Sequence, residues 1–209
     1  YNATSLTVLA SHLHNNIQSI AALTSTSDEE DSYVLTTNGP KGGANQDDQP
    51  PDGSGSILNT LRSQNISAWS QMLTRDGDKI KQAVVSGDQI YYLVERQRNG
   101  STVYTCETAS FETRMDAAKK VTTGLATTMN DWPHLAGETV QILVDGAPVA
   151  DQAVSAAGEL TFTTAPTESV EAGYFVPPVV ATMPLAPDLG GGPLMGANKR
   201  IQEIRVRVK

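Results

Sequence analysis

Short runs rich in β-branched and aromatic residues recur along the first half of the chain, separated by polar or glycine- and proline-containing segments. Runs of this length and composition are typical of β-strands. The predicted strands are residues 17–24, 32–37, 57–62, 66–73, 79–85, 89–96 and 102–108. Because short turns join many of these runs, the pattern predicts an antiparallel meander in two groups, as in incomplete β-propeller blades.

Two of the connections carry clear turn signals. Gly87 precedes the run 89–96, and Asn99-Gly100 follows it. Asn-Gly favours a two-residue hairpin turn, because both residues tolerate positive φ. The runs on either side of Asn99 are therefore predicted to form a hairpin.

The first residues follow a different periodicity. Leu6, Leu9 and Leu13 recur at helical spacing, and Thr4 or Ser5 is suited to cap the helix. We therefore expect a short N-terminal helix. Since the chain opens without Met and runs directly into this helix, we also expect it to be the C-terminal portion of a longer polypeptide.

A polar segment, residues 38–56, interrupts the first group of predicted strands. Its Gly, Pro, Asp and Asn content predicts a long exposed loop. Together with the acidic run 28–31, the loop brings seven carboxylates to this part of the chain against Lys41 alone. Three interpretations stay open: a solvated loop, a calcium site, or a lining that repels DNA.

The sequence pattern changes near Asp131, where we place a boundary between a first domain, 1–130, and a second, 131–209. The connector before the boundary shows a helical tendency over 115–121. The strands predicted after it are residues 139–144, 149–154, 160–164, 170–176, 179–185 and 200–209. Alternation in the first of these and the Asp145-Gly146 turn predict a hairpin within a small β-barrel or sandwich.

The last predicted strand, 200–209, is basic. Two interpretations remain: its charges discourage aggregation of a solvated edge strand, or they dock an acidic neighbour. The glycine-rich segment 190–192 before it is interpreted as a hinge, because no Gly-Lys-Ser/Thr follows and no βαβ pattern surrounds it.

Charge limits the function classes. The chain carries 15 Lys and Arg against 23 Asp and Glu, a net charge of -8. Such a molecule repels phosphates, so sequence-specific DNA binding is not expected, whereas passage of DNA along a non-adhesive surface is compatible with it. The sequence contains no apolar run long enough to predict a membrane-spanning helix.

No residue set predicts catalysis, a cofactor or a metal, so we do not expect an enzyme. His12 and His14 are two apart on the predicted helix and face different directions, which does not suit zinc. His134, beside Trp132, is expected to be packed or hydrogen-bonded. Cys106, the single cysteine, lies in a strand-like run and is expected to be buried and inert.

Several stretches, in order, resemble the tail nozzle or tail tubular protein B family of short-tailed bacteriophages, which includes related tail stabilisation proteins. The resemblance covers nearly the whole chain apart from the loop 38–56, which looks like an insertion. The order of the stretches carries more weight than any one of them. They are SLTVLASHL at 5–13, SAWS at 67–70, YYLVER at 91–96 with Asn99-Gly100, HLAGETV at 134–140 with Val144-Asp145-Gly146, TMPL at 182–185, and Lys199-Arg200-Ile201.

The resemblance implies a virion tail protein without enzymatic activity. Its identical subunits would form a ring, usually hexameric, below the portal and adaptor proteins and near tail fibres or spike. Such a ring retains packaged DNA and conducts it during ejection. We expect carboxylates to line the passage; residues 28–31 and 47–52 are candidates, equally suited to an outer face.

Two other functions stay open. A β-rich receptor- or glycan-binding module of a tail fibre or baseplate would need a platform of exposed aromatic residues, and aromatics make up only 5% of the chain. A cell-wall or polysaccharide hydrolase would need a cleft with two buried carboxylates.

Overall fold

The computed structural model describes residues 16–24, 30–37, 53–64, 66–110 and 112–178. The chain divides into two compact units, Tyr1–Val176 and Pro177–Lys209. In the described residues, every regular element is a β-strand or a short 3-10 turn, which confirms the mainly β fold. The predicted N-terminal helix, most of the loop 38–56, the hinge 190–192 and the strands 179–185 and 200–209 lie outside the described residues.

The first sheet is a four-stranded antiparallel meander. Its strands are β1 (Ile17–Thr24), β2 (Glu30–Thr37), β3 (Gly55–Leu61) and β4 (Ile66–Met72), paired in chain order. The register sets Ala21 opposite Val34, and Val34 opposite Ile57. Because neighbouring strands pair residue by residue, these three side chains lie side by side on one face.

The second sheet is a three-stranded meander of β5 (Lys79–Ser86), β6 (Gln89–Arg98) and β7 (Ser101–Thr108). Asn99 and Gly100 have φ of 47° and 75° in the turn between β6 and β7. Positive φ at both central residues is the hairpin geometry that Asn-Gly favours, so the predicted hairpin is confirmed.

These two sheets share one core, and together they form what we call the N-terminal module (β1–β7). The core combines residues of the first sheet with residues of the second. Its buried members are Ala21, Val34, Ile80, Ala83, Ile90, Tyr92 and Val94. A backbone bond from the Ile80 N–H to the Gly53 carbonyl (2.7 Å) also joins the two sheets.

A further four-stranded sheet and a two-stranded ribbon form the C-terminal module (β8–β13). The strands are β8 (Asp116–Val121), β9 (Thr128–Met129), β10 (Thr139–Val144), β11 (Ala147–Ala153), β12 (Leu160–Thr161) and β13 (Val170–Tyr174). The sheet order is β11-β10-β13-β8, and β12 pairs with β9. In the described part of the chain the sheet keeps two free edges, so it is not a closed barrel.

The core of the C-terminal module is built around Trp132, which is fully buried and donates its indole N–H to the Lys119 carbonyl (3.0 Å). Side chains of the sheet, the ribbon and the 3-10 turn Pro133–Leu135 surround it. The buried members are Val121, Met129, Trp132, Leu135, Val140, Ile142, Val154, Leu160, Phe162, Val170, Ala172 and Tyr174. This core shares no residue with that of the N-terminal module.

The helical tendency predicted over 115–121 is wrong, because β8 occupies this segment. Its Ala and Lys residues are good helix formers, yet pairing with β13 determines the conformation, and Ala117 has a positive φ of 50°. Both β8 and β9 precede Asp131, where the sequence suggested a boundary. In the strand pairing, the two modules as we define them meet between β7 and β8, at residues 109–115.

Candidate functional site

The two modules meet at a group of charged side chains, which we call the ionic junction. Its residues come from the turn before β5, from β6, β7 and β8, and from the residue that precedes β10. They are Arg75, Asp78, Arg96, Arg98, Glu107, Asp116 and Glu138.

Arg96 lies at the centre of the ionic junction, with a fully buried side chain. Its Nε donates to Glu107 Oε1 (2.8 Å) and its Nη2 to Glu107 Oε2. Its Nη1 donates to Asp78 Oδ2 (3.0 Å) and to Asp116 Oδ2 (2.5 Å), and its Nη2 donates to Asp116 Oδ1 (2.7 Å). These bonds engage all five N–H donors of a guanidinium, two pairs of them in bidentate geometry.

The carboxylates compensate the positive charge of Arg96. Burial alone would lower the pKa of Arg96, but the hydrogen bonds and charges of Asp116 and Glu107 outweigh it, so the pKa is raised above its ordinary value. The guanidinium is therefore a permanent buried cation whose compensation depends on its carboxylate neighbours.

Asp78 holds the N-terminal side of the ionic junction together. Its Oδ1 accepts from the Gln97 N–H (2.7 Å), and its Oδ2 accepts from Arg98 Nη1 (3.4 Å) as well as from Arg96. The backbone N–H of Asp78 donates to the Arg75 carbonyl (3.0 Å) and so closes the turn that carries Asp78. This side of the ionic junction therefore lies entirely within the N-terminal module.

A second layer of contacts crosses to the C-terminal module. Arg75 Nη1 donates to Glu138 Oε2 (2.9 Å), and the Arg75 backbone N–H donates to Asp116 Oδ2 (2.8 Å). The Asn99 N–H donates to Glu138 Oε1 (3.0 Å), and Asn99 Nδ2 donates to the Ala136 carbonyl (3.2 Å). Burial would raise the pKa of Glu138, but the bonds from Arg75 and Asn99 lower it below its ordinary value.

The β6–β7 turn packs closely against the segment before β10. A Cβ placed on Gly137 would lie 2.7 Å from Asn99 Nδ2, and Gly137 has a φ of +80°. Only glycine combines that φ with so close an approach at low cost.

Tyr174, at the end of β13, adds an aromatic contact to the ionic junction. The guanidinium carbons of Arg75 and Arg98 lie 4.2 Å and 4.8 Å from the centre of its ring. Both distances suit cation–π attraction. Burial raises the pKa of Tyr174 to about 12.

The arrangement is that of an ion-pair network. All four carboxylates accept bonds from arginine, and three arginines face four carboxylates, a formal balance of -1. Within the described ranges, no group of three His, Cys, Asp or Glu side chains has the geometry to hold a metal ion. What the ionic junction can do with these groups is to join two folded modules by charge.

The structure places few of the residues singled out by the sequence at the ionic junction. His134 is exposed and its Nε2 donates to the Ala117 carbonyl (3.0 Å), in line with a hydrogen-bonded role. Asp31 is buried, so it adds little to an exposed acidic surface. His12 and His14 lie outside the described residues, as do Asp28, Glu29 and the acidic residues 47–52.

The expectation of a buried Cys106 is wrong. Cys106 is exposed because β7 is an edge strand and residue 106 points away from the core. On the same outer face of the second sheet, Val84, Leu93 and Tyr104 are 48%, 40% and 62% exposed. We call this set, with Tyr91 between them, the apolar face.

Sequence reasoning missed the ionic junction itself, although β6 contains a signal for it. Every second residue of β6 is buried, and the buried face begins with Ile90, Tyr92 and Val94. Continuing the alternation puts Arg96 and Arg98 on that same face. A charged residue in the buried phase of a strand indicates a partner, but the partners come from distant segments that no spacing reveals.

Comparison with protein-family models and with curated proteins gives no match. No described helix has the length and hydrophobicity to cross a membrane.

Proposed function

We propose that this chain is a structural component of a bacteriophage tail nozzle. In this proposal, identical subunits form a ring, with hexameric symmetry, below the portal and adaptor. The ring retains packaged DNA and conducts it during ejection. The two meander sheets of the N-terminal module would be blades of a β-propeller that the rest of the polypeptide completes, and the protein would act without enzymatic chemistry.

One observation carries the proposal: stretches that resemble the nozzle family meet in space. The stretch 91–96 ends in Arg96, and Asn99-Gly100 forms the turn that contacts Ala136 and Glu138 within the stretch 134–140. Segments that are about forty residues apart in sequence thus build one interface. This contact between two of the stretches supports the proposal.

The bonds between the modules and the net charge of the chain both support this role. The bonds of the ionic junction fix the C-terminal module to the N-terminal module, as a subunit of a load-bearing tube requires. A net charge of -8 keeps phosphates from adhering, so DNA would slide past such subunits.

The test is to count and locate the chain in purified virions. Peptide mass spectrometry should give about half the copy number of the portal, as a six-fold ring against a twelve-fold portal requires. Antibody labelling should place it on the tail axis. Absence from virions, or labelling confined to fibre tips, would contradict the proposal.

A second candidate, a receptor- or glycan-binding module of a tail fibre or baseplate, is favoured by the apolar face. Its exposed Tyr104 and Leu93 lie on adjacent strands, and flat aromatic surfaces are suited to carbohydrate. Binding of the full chain to host-cell surface glycans that is lost on Tyr104→Ala would support this function. Equal binding by the variant would count against it.

A further inference from the structure

The contact between the modules differs in kind from the contacts inside them. Each module has its own apolar core, and neither core contains a residue of the other module. The bonds that cross between them are made by charged and polar groups, chiefly Arg96 to Asp116, Arg75 to Glu138 and Asn99 to Ala136. A contact of this kind depends on the charge state of its members far more than an apolar core does.

We propose that the ionic junction is a pH-sensitive latch: protonation of Glu138 in acid breaks its bonds to Arg75 and Asn99 and so releases the C-terminal module, still folded, from the N-terminal module. This inference does not rest on the nozzle function. It concerns only the two modules and the charges between them.

The distribution of partners explains why release would leave the N-terminal module folded. When Asp116 moves away with the C-terminal module, Arg96 keeps Asp78 and Glu107, both in its own module. Arg75 likewise keeps the Gln97 carbonyl, to which its Nη2 donates (2.7 Å). The buried cation is therefore not left alone, and its main loss is the contact with the C-terminal module.

The groups that face Asp116 and Glu138 come from several neighbouring elements. They are Arg75 and Asp78 from the turn before β5, Arg96 and Arg98 from β6, Glu107 from β7 and Tyr174 from β13. Asp78 and Glu107 bind Arg96 alongside Asp116. Arginines keep their charge throughout the acid range, whereas Glu138 loses its charge when it is protonated.

The direction of the effect follows from Glu138. Its folded pKa lies below the ordinary value of 4.5. A carboxylate whose pKa is lowered by folding stabilises the folded form above its unfolded pKa, and this contribution is lost as the pH falls through the folded pKa. The latch is accordingly closed at neutral pH and opens in acid, below the ordinary range of glutamate.

The test measures the distance between the modules in the full chain by double electron–electron resonance. One spin label is attached to the native, exposed Cys106 on β7, and the other to Ala150→Cys on the exposed β11. A control pair within the C-terminal module, Ala150→Cys with Thr163→Cys, is placed in a Cys106→Ser background. In a Trp69→Phe background, Trp132 fluorescence reports whether the C-terminal core stays folded.

We expect a narrow distance distribution between Cys106 and residue 150 at neutral pH. As the pH is lowered stepwise below the ordinary glutamate value of 4.5, it should broaden while the control pair and the Trp132 signal stay unchanged. Broadening of both pairs together with loss of the Trp132 signal would overturn the proposal, because the acid transition would then be unfolding. A distribution that stays narrow until unfolding would overturn it as well.

Charge-neutral variants open the latch without acid. Asp116→Asn with Glu138→Gln should broaden the inter-module distribution at neutral pH. The matched control, Asp88→Asn with Glu168→Gln, changes two exposed carboxylates away from the ionic junction and should leave the distribution narrow. Equal distributions in the two double variants, with the wild-type chain also unresponsive to acid, would show that charge does not hold the modules together.

Discussion

A single side chain, Arg96, shows how strongly one residue can depend on its neighbours. The guanidinium is fully buried, and it is tolerated because Asp78, Glu107 and Asp116 engage every donor. We predict that Arg96→Met lowers the free energy of unfolding by about 3–5 kcal/mol, because it leaves buried carboxylates without their cation. Urea denaturation followed by circular dichroism measures this loss.

The matched control for Arg96→Met is Arg114→Met, which removes an arginine whose side chain is exposed. Its effect should stay within about 0.5 kcal/mol, as for surface substitutions in general. Similar losses in the two variants would show that the bonds of Arg96 contribute little to stability.

Asp145 provides a second residue-scale prediction, in the C-terminal module. Its carboxylate accepts from the backbone N–H groups of Thr167, Glu168 and Ser169, and these bonds lower its pKa. Asp145→Asn keeps a residue that tolerates the φ of 51° but removes the charge. We expect a lower Tm at neutral pH.

The pH dependence of that loss distinguishes charge from shape. Since folding lowers the pKa of Asp145, its contribution is present above the ordinary value of 3.8 and disappears as the pH falls below it. The difference in Tm between Asp145→Asn and wild type should therefore shrink in acid, as scanning calorimetry can measure. The control is Asp88→Asn, which changes a carboxylate in an exposed turn. If the Tm difference between Asp145→Asn and wild type were the same at every pH, the loss would come from shape and not from charge.

At the scale of elements, the alternation of hydrophobic residues and the turn residues were enough to locate strands but not to pair them. The sequence predicted β1 and β10 with their observed bounds, because alternation and turn residues are local signals. It missed β8, whose Ala and Lys residues favour a helix, because strand pairing with β13 is a long-range contact. The exposure of Cys106 likewise depends on which strand forms the edge of the sheet, and local sequence does not encode this.

Gly158 marks a place where two elements approach too closely for any side chain. A Cβ on Gly158 would lie 2.5 Å from Pro133 N, and its carbonyl accepts from the Trp132 N–H (3.1 Å). We predict that Gly158→Ala destabilises the C-terminal module by more than the ~1–2 kcal/mol that a left-handed φ alone costs an L-residue. Thermal unfolding in a Trp69→Phe background, followed by Trp132 fluorescence, measures this loss.

Gly124→Ala isolates the conformational part of that cost. Gly124 has a positive φ of 67°, but no atom lies within 4 Å of a Cβ placed on it. The Gly124→Ala substitution should therefore cost only the ~1–2 kcal/mol of stability that a left-handed φ costs an L-residue. If Gly124→Ala were as damaging as Gly158→Ala, backbone conformation and not the contact with Pro133 would explain the loss.

At the scale of the whole molecule, the ionic junction should make two separate cores behave as one cooperative unit. The cores share no residue, and the bonds of Arg96 and Arg75 join the modules, so we expect these bonds to couple them. This coupling, like the module boundary at 109–115, joins segments distant in sequence. Neither could be read from a pattern of neighbouring residues.

Coupled cores predict that damage in one module is transmitted to the other. Ile142→Ala removes a side chain that is 1% exposed, a change that costs about 2–5 kcal/mol in the C-terminal core. Trp132→Phe and Trp69→Phe backgrounds leave one tryptophan to report on each module.

With the latch closed at neutral pH, Ile142→Ala should lower the urea midpoint of both signals, because unfolding of the C-terminal module withdraws the bonds that support the N-terminal one. Combined with Asp116→Asn and Glu138→Gln, the same substitution should shift the Trp132 signal alone. If Ile142→Ala already left the Trp69 signal unchanged in the otherwise native chain, the modules would be independent and the ionic junction would not transmit stability between them.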